Sequence, residues 1–268
     1  MKKELNAEPF NYLIKTDSLS MFTSKNELVE SMGVEPEIAA FFVDRKLPEG
    51  NRYWTGRYLY VSRGTGYLFI PLFFDLQHKA GLPLQTVIKE EYVQLMEQIL
   101  HLAALYEFEE KEFLQHIEEI EFLVKDKVQN TVLFNELHAY FRQPQLIKKG
   151  RIGTDNPALN RGDALLYLLT TLDLSDAVLN LIITGWYQLV PSFLLLDDIM
   201  DFQEDKEKKE ENSLSIYGYN SAGVKKAIEV AETNFSGIAD LNPQLSGFFQ
   251  NVLNKKKQTP YFKHILND

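Results

Sequence analysis

The sequence predicts an all-α fold arranged as one domain over residues 1–268, with 1–52 forming a helical N-terminal segment. Three observations predict it. Strand signals are scarce: Tyr58-Leu59-Tyr60-Val61, closed by the breaker Gly64-Thr65-Gly66, is the best short candidate. Apolar residues recur instead at helical spacing, as at Val87, Tyr92, Leu95, Met96, Ile99, Leu100, Ala103 and Leu105. Breakers separate these stretches without any fixed repeat, so a helical bundle is expected rather than a solenoid.

In chain order, residues 27–32 and 35–45 read as short amphipathic helices. The aromatic-rich stretch 67–79 ends at Gly81. A long periodic segment from 84 to 125 breaks near 107–112, and another helix over 127–142 stops before Pro144. Gln145–Pro157, with two glycines and Lys148, Lys149 and Arg151, reads as the longest loop. Helices are then expected over 158–172 and 175–205. Asn220 or Ser221 caps one running to 237, and the last covers 244–255.

With 28 Lys+Arg against 38 Asp+Glu, the net charge is −10. That balance argues against nucleic acid or an anionic membrane as the partner, since both demand clustered basic charge. The absence of Cys excludes disulfides, thiolate metal sites and Cys nucleophiles, and makes a reducing, cytoplasmic setting the default expectation. The start of the chain has two lysines but no apolar run behind them, unlike a signal peptide. Residues 177–196 are long enough to span a bilayer. Asn180, Thr184, Gln188 and Ser192 interrupt them every fourth residue, however, and no basic flank is present, so a buried core helix is expected instead. That polar row, leading toward acids, also predicts an elongated pocket beside the helix.

The informative stretch is Leu194-Leu195-Leu196-Asp197-Asp198-Ile199-Met200-Asp201-Phe202-Gln203-Glu204-Asp205. On a helix, Asp197, Asp198, Asp201 and Asp205 fall within an arc of about 100°, with Glu204 beside it. Like charges at i,i+4 repel, and a helix C-terminus disfavours negative charge. Such a stripe makes sense if cations neutralise it, and hard oxygen ligands without His or Cys suit Mg²⁺. The plainer alternative is a buried helix emerging into water.

These residues resemble a family. Phe193–Asp201 looks like the second aspartate-rich motif of the trans-prenyltransferases, and Asp201-Phe202-Gln203-Glu204-Asp205 fits the Asp-x-x-Glu-Asp of squalene and phytoene synthases. Gly162–Leu168 and Val178–Val190 are similar to helices that line the prenyl tunnel of that isoprenoid synthase superfamily. The resemblance implies an all-α isoprenoid synthase fold in which Asp197, Asp198, Asp201, Glu204 and Asp205 hold Mg²⁺ against an isoprenoid diphosphate. It further implies Lys148, Lys149 and Arg151 as diphosphate clamps, and Asn180, Thr184 and Gln188 beside the prenyl chain.

The family also carries an acidic motif in its N-terminal half, whereas the first 125 residues here hold only Asp17, Asp44 and Asp75, all isolated. Glu107, Glu109, Glu110 and Glu112, after Glu97 and His101, read as a solvated acidic face. Two functions follow. One is a Mg²⁺-dependent prenyltransferase or terpenoid synthase; the other is a catalytically inactive isoprenoid-binding protein, homodimer or partner subunit on the same fold. The five His residues form no metal motif, and Arg63-Gly64-Thr65-Gly66 lacks the ending of a phosphate loop.

Overall fold

The computed structural model describes residues 23–55, 65–208 and 212–267, with the side chains of 65–67, 201–208 and 267 excepted. The strand candidate at Tyr58–Val61 lies outside the described residues. All regular structure among the described residues is helical, apart from one isolated bridge between Lys149 and Ile152. The helices are α1 (Pro36–Asp44), α2 (Thr65–Lys79), α3 (Leu84–Val87), α4 (Glu90–Glu107), α5 (Phe113–Val124), α6 (Thr131–Phe141), α7 (Asp176–Lys208), α8 (Leu214–Tyr217), α9 (Ser221–Gly237), α10 (Pro243–Lys257) and α11 (Pro260–Asn267).

The starts follow the local chemistry. Asn130, Asn220 and Asn242 each accept a backbone N–H two or three residues into the helix that follows, at 2.9, 3.0 and 2.9 Å. Pro36 and Pro243 occupy first-turn positions, where the missing N–H costs nothing. Glu27–Ser31 is a single π-helical turn.

The stretch read as a helix over 158–172 is not α-helical. It forms two 3₁₀ runs, Pro157–Asn160 and Asp163–Thr171. Every residue of the second run is buried. The hydroxyls of Thr170 and Thr171 donate to the carbonyls of Tyr167 and Leu168, three residues back, at 2.7 and 2.8 Å. The Thr170 carbonyl in turn accepts the N–H groups of Gln129 and Asn130, both at 2.9 Å, which ends the run against the start of α6. Burial on all sides and these outside partners favour the tighter helix.

The chain divides into two units. The first comprises the described parts of Met1–Arg45, Leu59–Lys79 and Gly185–Asp268, and the second those of Lys46–Tyr58 and Ala80–Thr184. Aromatic rings fill the first: Phe42 meets Phe74 edge-on at 5.1 Å, Phe73 meets Trp186 at 4.8 Å, and Phe235 stacks on Phe249 at 4.8 Å. In the second, Phe141 stacks on Tyr167 at 5.7 Å, among the buried Ile117, Ile120 and Leu137. Each such ring or aliphatic side chain contributes on the order of 1.5–3 kcal/mol by leaving water.

α7 contributes to both units. Its stretch Asp176–Met200 is long and apolar enough to cross a membrane on length and composition, and 61% of its most apolar window is buried inside the protein. The helix runs on through Pro191, and Ser192 Oγ donates to the Gln188 carbonyl at 2.7 Å.

Candidate functional site

The end of α7 is built by burial. Leu195, Leu196 and Ile199 are buried, Asp197 is half-buried between them, and Asp198 is 5% exposed. Asp198 is committed to its own chain. Its Oδ2 accepts the Ser213 N–H at 2.8 Å, and its carbonyl accepts from Asn212 Nδ2 at 2.9 Å. Asn212 Oδ1 accepts the Leu214 N–H at 2.8 Å, so together they fix the start of α8. The Tyr261 hydroxyl donates to the carbonyls of Ile199 and Met200 at 3.0 and 3.1 Å. α11 thereby meets the backbone beside the aspartates.

The side chains of Asp201, Glu204 and Asp205 lie outside the described residues. Among the described residues, no group of three or more His, Asp or Glu side chains is placed to hold a metal ion. The donor chemistry at Asp197 and Asp198 is hard oxygen and suits Mg²⁺. One Asp198 oxygen, however, is already used by a backbone donor.

The polar row along α7 does not stay on one face. Successive i,i+4 positions advance about 40° around an α-helix, so three steps carry the row through about 120°. Asn180 and Thr184 accordingly sit at the surface, Gln188 is half-buried, and Ser192 is buried. Asn180 Oδ1 accepts from Arg151 at 2.8 Å. Gln188 places its amide where a Cβ on Gly237 would stand, 2.1 Å from Nε2. The row thus serves several local environments.

Lys148, Lys149 and Arg151 lie on a tight turn closed by the Lys149–Ile152 bridge, with Gly150 at φ 63°. Gly153, at φ 83°, faces Tyr140, whose Cε2 would lie 2.8 Å from an added Cβ. Lys148 and Lys149 are exposed. Arg151 donates from Nε to Glu136 at 2.8 Å and lies 3.8 Å from Asp176. Its charge is therefore already matched within the second unit. Glu107, Glu109, Glu110 and Glu112 are exposed, as a solvated face requires.

A polar cluster that sequence reasoning missed surrounds the buried Glu121. Arg142 grips the Glu121 carboxylate with both terminal nitrogens, at 2.8 and 2.9 Å. The Tyr167 hydroxyl donates at 2.5 Å, and His138 Nδ1 lies 3.0 Å away. Burial pushes the Glu121 carboxyl up, but the Arg142 and Tyr167 hydrogen bonds, with the Arg142 and His138 charges, outweigh it and hold the group below the usual carboxylate range. Burial and the adjacent carboxylate push the Tyr167 hydroxyl up, out of reach of ordinary titration. Nearby, the Tyr140 hydroxyl donates to the buried Asp163 at 2.9 Å. These groups satisfy one another, so the cluster fits a packing role.

No protein-family model, curated protein or solved structure matches the chain.

The first unit has its own polar hub at Asp75, which is fully buried. It accepts the Glu35 N–H at 2.7 Å, Asn242 Nδ2 at 3.1 Å and Lys79 Nζ at 2.6 Å on both oxygens. Lys79 also donates to the Gly33 carbonyl at 2.7 Å, and Asn242 to that of Met32 at 2.9 Å. Burial pushes the Asp75 carboxyl up, against the pull of Lys79. Asp75 was visible in the sequence as an isolated acid; its partners were not.

Proposed function

We propose that the protein binds an isoprenoid diphosphate together with Mg²⁺ at the C-terminal part of α7 and acts on it as a prenyltransferase or terpenoid synthase. The observation that carries this reading is a pair of carboxylates, Asp197 and Asp198, set directly after the buried Leu195 and Leu196 on a largely apolar helix. Asp197, with Asp201 and Asp205 one and two turns further along the same helix, would hold the ion. The metal would act as a Lewis acid on the leaving diphosphate. Asp198 would position this end of the helix through its bond to Ser213, and the apolar residues of α7 would exclude water.

The test is a melting curve of the whole chain with MgCl₂ and sodium diphosphate, then with farnesyl diphosphate. A ligand bound only by the folded state adds about 2.7 kcal/mol at a hundred times its Kd. Asp197→Asn should abolish the shift. An unchanged melting curve at millimolar ligand overturns the reading.

One observation favours a second reading, a non-catalytic isoprenoid-binding protein or partner subunit: the Asp198 carboxylate is buried and bonded to a backbone donor. Release of inorganic diphosphate from farnesyl diphosphate separates the two. Binding without release supports the second.

A further inference from the structure

The outer face of α5, in the second unit, holds two large apolar side chains in water. Phe122 is 69% exposed and Leu114 49%. Leu114, Glu118, Phe122 and Lys125 stand at i, i+4, i+8 and i+11, within about 80° of one another around a helix. Lys125 keeps helical dihedrals just past the end of α5, at φ −48° and ψ −45°, and so continues that face. The other side of the helix is committed to the core through Ile117, Ile120 and Val124, all buried. The outer face cannot turn inward without exposing them.

The two charges on this face are open to a partner. Glu118 is exposed and makes no hydrogen bond or ion pair among the described residues. Its charge acts on Arg142, but both terminal nitrogens of that guanidinium are bound to Glu121. Lys125 is exposed, and its Nζ lies 3.7 Å from the centre of the Phe122 ring.

An acid four positions before an exposed ring and a base three positions after it make the face complementary to itself. Consider two copies of α5 laid antiparallel about a two-fold axis beside Phe122. Glu118 then faces the partner's Lys125, and Lys125 faces the partner's Glu118. The two Phe122 rings meet at the axis, and Leu114 reaches the partner's Val128, a half-buried residue in this chain. A two-fold interface requires this reciprocity of contacts. A partner of uniform charge would satisfy one of the two charges and repel the other. We propose that the protein forms a homodimer through this face, with Phe122 at the centre and the Glu118–Lys125 pair made twice. The proposal does not depend on the function proposed for α7.

The test is sedimentation equilibrium of the full chain from micromolar to submillimolar concentration. It should show monomer and dimer and nothing larger, because one partner uses up an isologous face. Phe122→Ser should weaken the dimer by about ten-fold or more, as the loss of a buried ring at the centre requires. Glu118→Lys and Lys125→Glu each set like charges opposite one another at two places, and each should also weaken it by about ten-fold or more. Both changes in one chain restore opposite charges and should bring the affinity back to within about three-fold of the wild type. Far-UV circular dichroism checks that each variant is folded. If Glu118→Lys disturbs the fold beside Arg142, Phe122→Ser and Lys125→Glu decide. A monomer at every concentration, species larger than a dimer, a dimer indifferent to Phe122→Ser or to Lys125→Glu, or a folded double variant as weak as the single ones would each overturn the proposal.

Discussion

Asp198 and Ser213, fifteen residues apart, are joined by a 2.8 Å hydrogen bond from the Ser213 backbone N–H to a buried carboxylate oxygen. A residue whose sequence context suggests a metal ligand is thereby also the anchor of the segment that follows α7. With Asn212 bonded to the Asp198 carbonyl, the turn before α8 depends on one residue of α7.

This makes the two simplest substitutions diverge. Asp198→Asn keeps an oxygen to accept from Ser213 and should cost less than about 1 kcal/mol. Asp198→Ala leaves a buried N–H without its acceptor and should cost about 1–3 kcal/mol. Urea unfolding of both variants, without ligand, checks it. Equal stability of the two would show that the bond contributes nothing.

The Asp75 hub predicts a larger effect. Asp75→Ala removes the partner of Lys79 and the acceptor for Glu35 and Asn242, and should destabilise by about 3–5 kcal/mol. Adding Lys79→Met should recover part of that loss, because the stranded ammonium goes with it. The midpoints of chemical unfolding for the two single variants and the double variant measure the coupling. Strict additivity would mean that the pair does not interact.

His116 predicts a pH dependence. The ring is 3% exposed, stacks on Tyr106 at 4.8 Å, and has a buried Nδ1 without a hydrogen-bond partner. Burial lowers its pKa to about 4, against the upward pull of the Glu112 and Phe113 backbone and of the Glu119 charge, with Lys111 pushing it down. In the unfolded chain it titrates near 6.5. Between those values the unfolded state binds more protons, so stability falls as pH drops from about 6.5 toward 4. The loss from this group is at most about 3 kcal/mol. His116→Phe should retain the stacking and flatten that part of the curve. Unfolding midpoints at pH 7 and pH 5 for both proteins provide the check.

Much of the helical architecture was legible because its signals are local. The break expected at 107–112 falls between α4 and α5, and the helix expected through 237 is α9. The expected start at 127 moves to Thr131, since Asn130 is the capping residue and 125–127 forms a 3₁₀ turn. α11 lies beyond the last expected helix, and Thr259 before Pro260 is an ordinary start signal for it. The helix expected over 158–172 is present as two 3₁₀ runs, and local residue preferences do not separate α from 3₁₀ helix. There the choice rests on the surroundings of Thr170 and Thr171. The candidate site was legible only as a pattern of acids. A row at every fourth residue looks continuous in sequence yet turns steadily around the helix, which is why Asn180 is exposed and Ser192 buried.

The sequence by itself determined the helical class of the described residues, the cap of α9 and the helical run of α7. Each depends on residues within about one helical turn of one another, where spacing and side-chain chemistry suffice. Tertiary structure alone decided what the polar groups do. Asp75 meets Asn242 from 167 positions away, and Glu121 meets Tyr167 from 46. A carboxylate's role is set by which donors and charges reach it and how much water is excluded around it. Those are properties of the folded chain, and no local spacing encodes them.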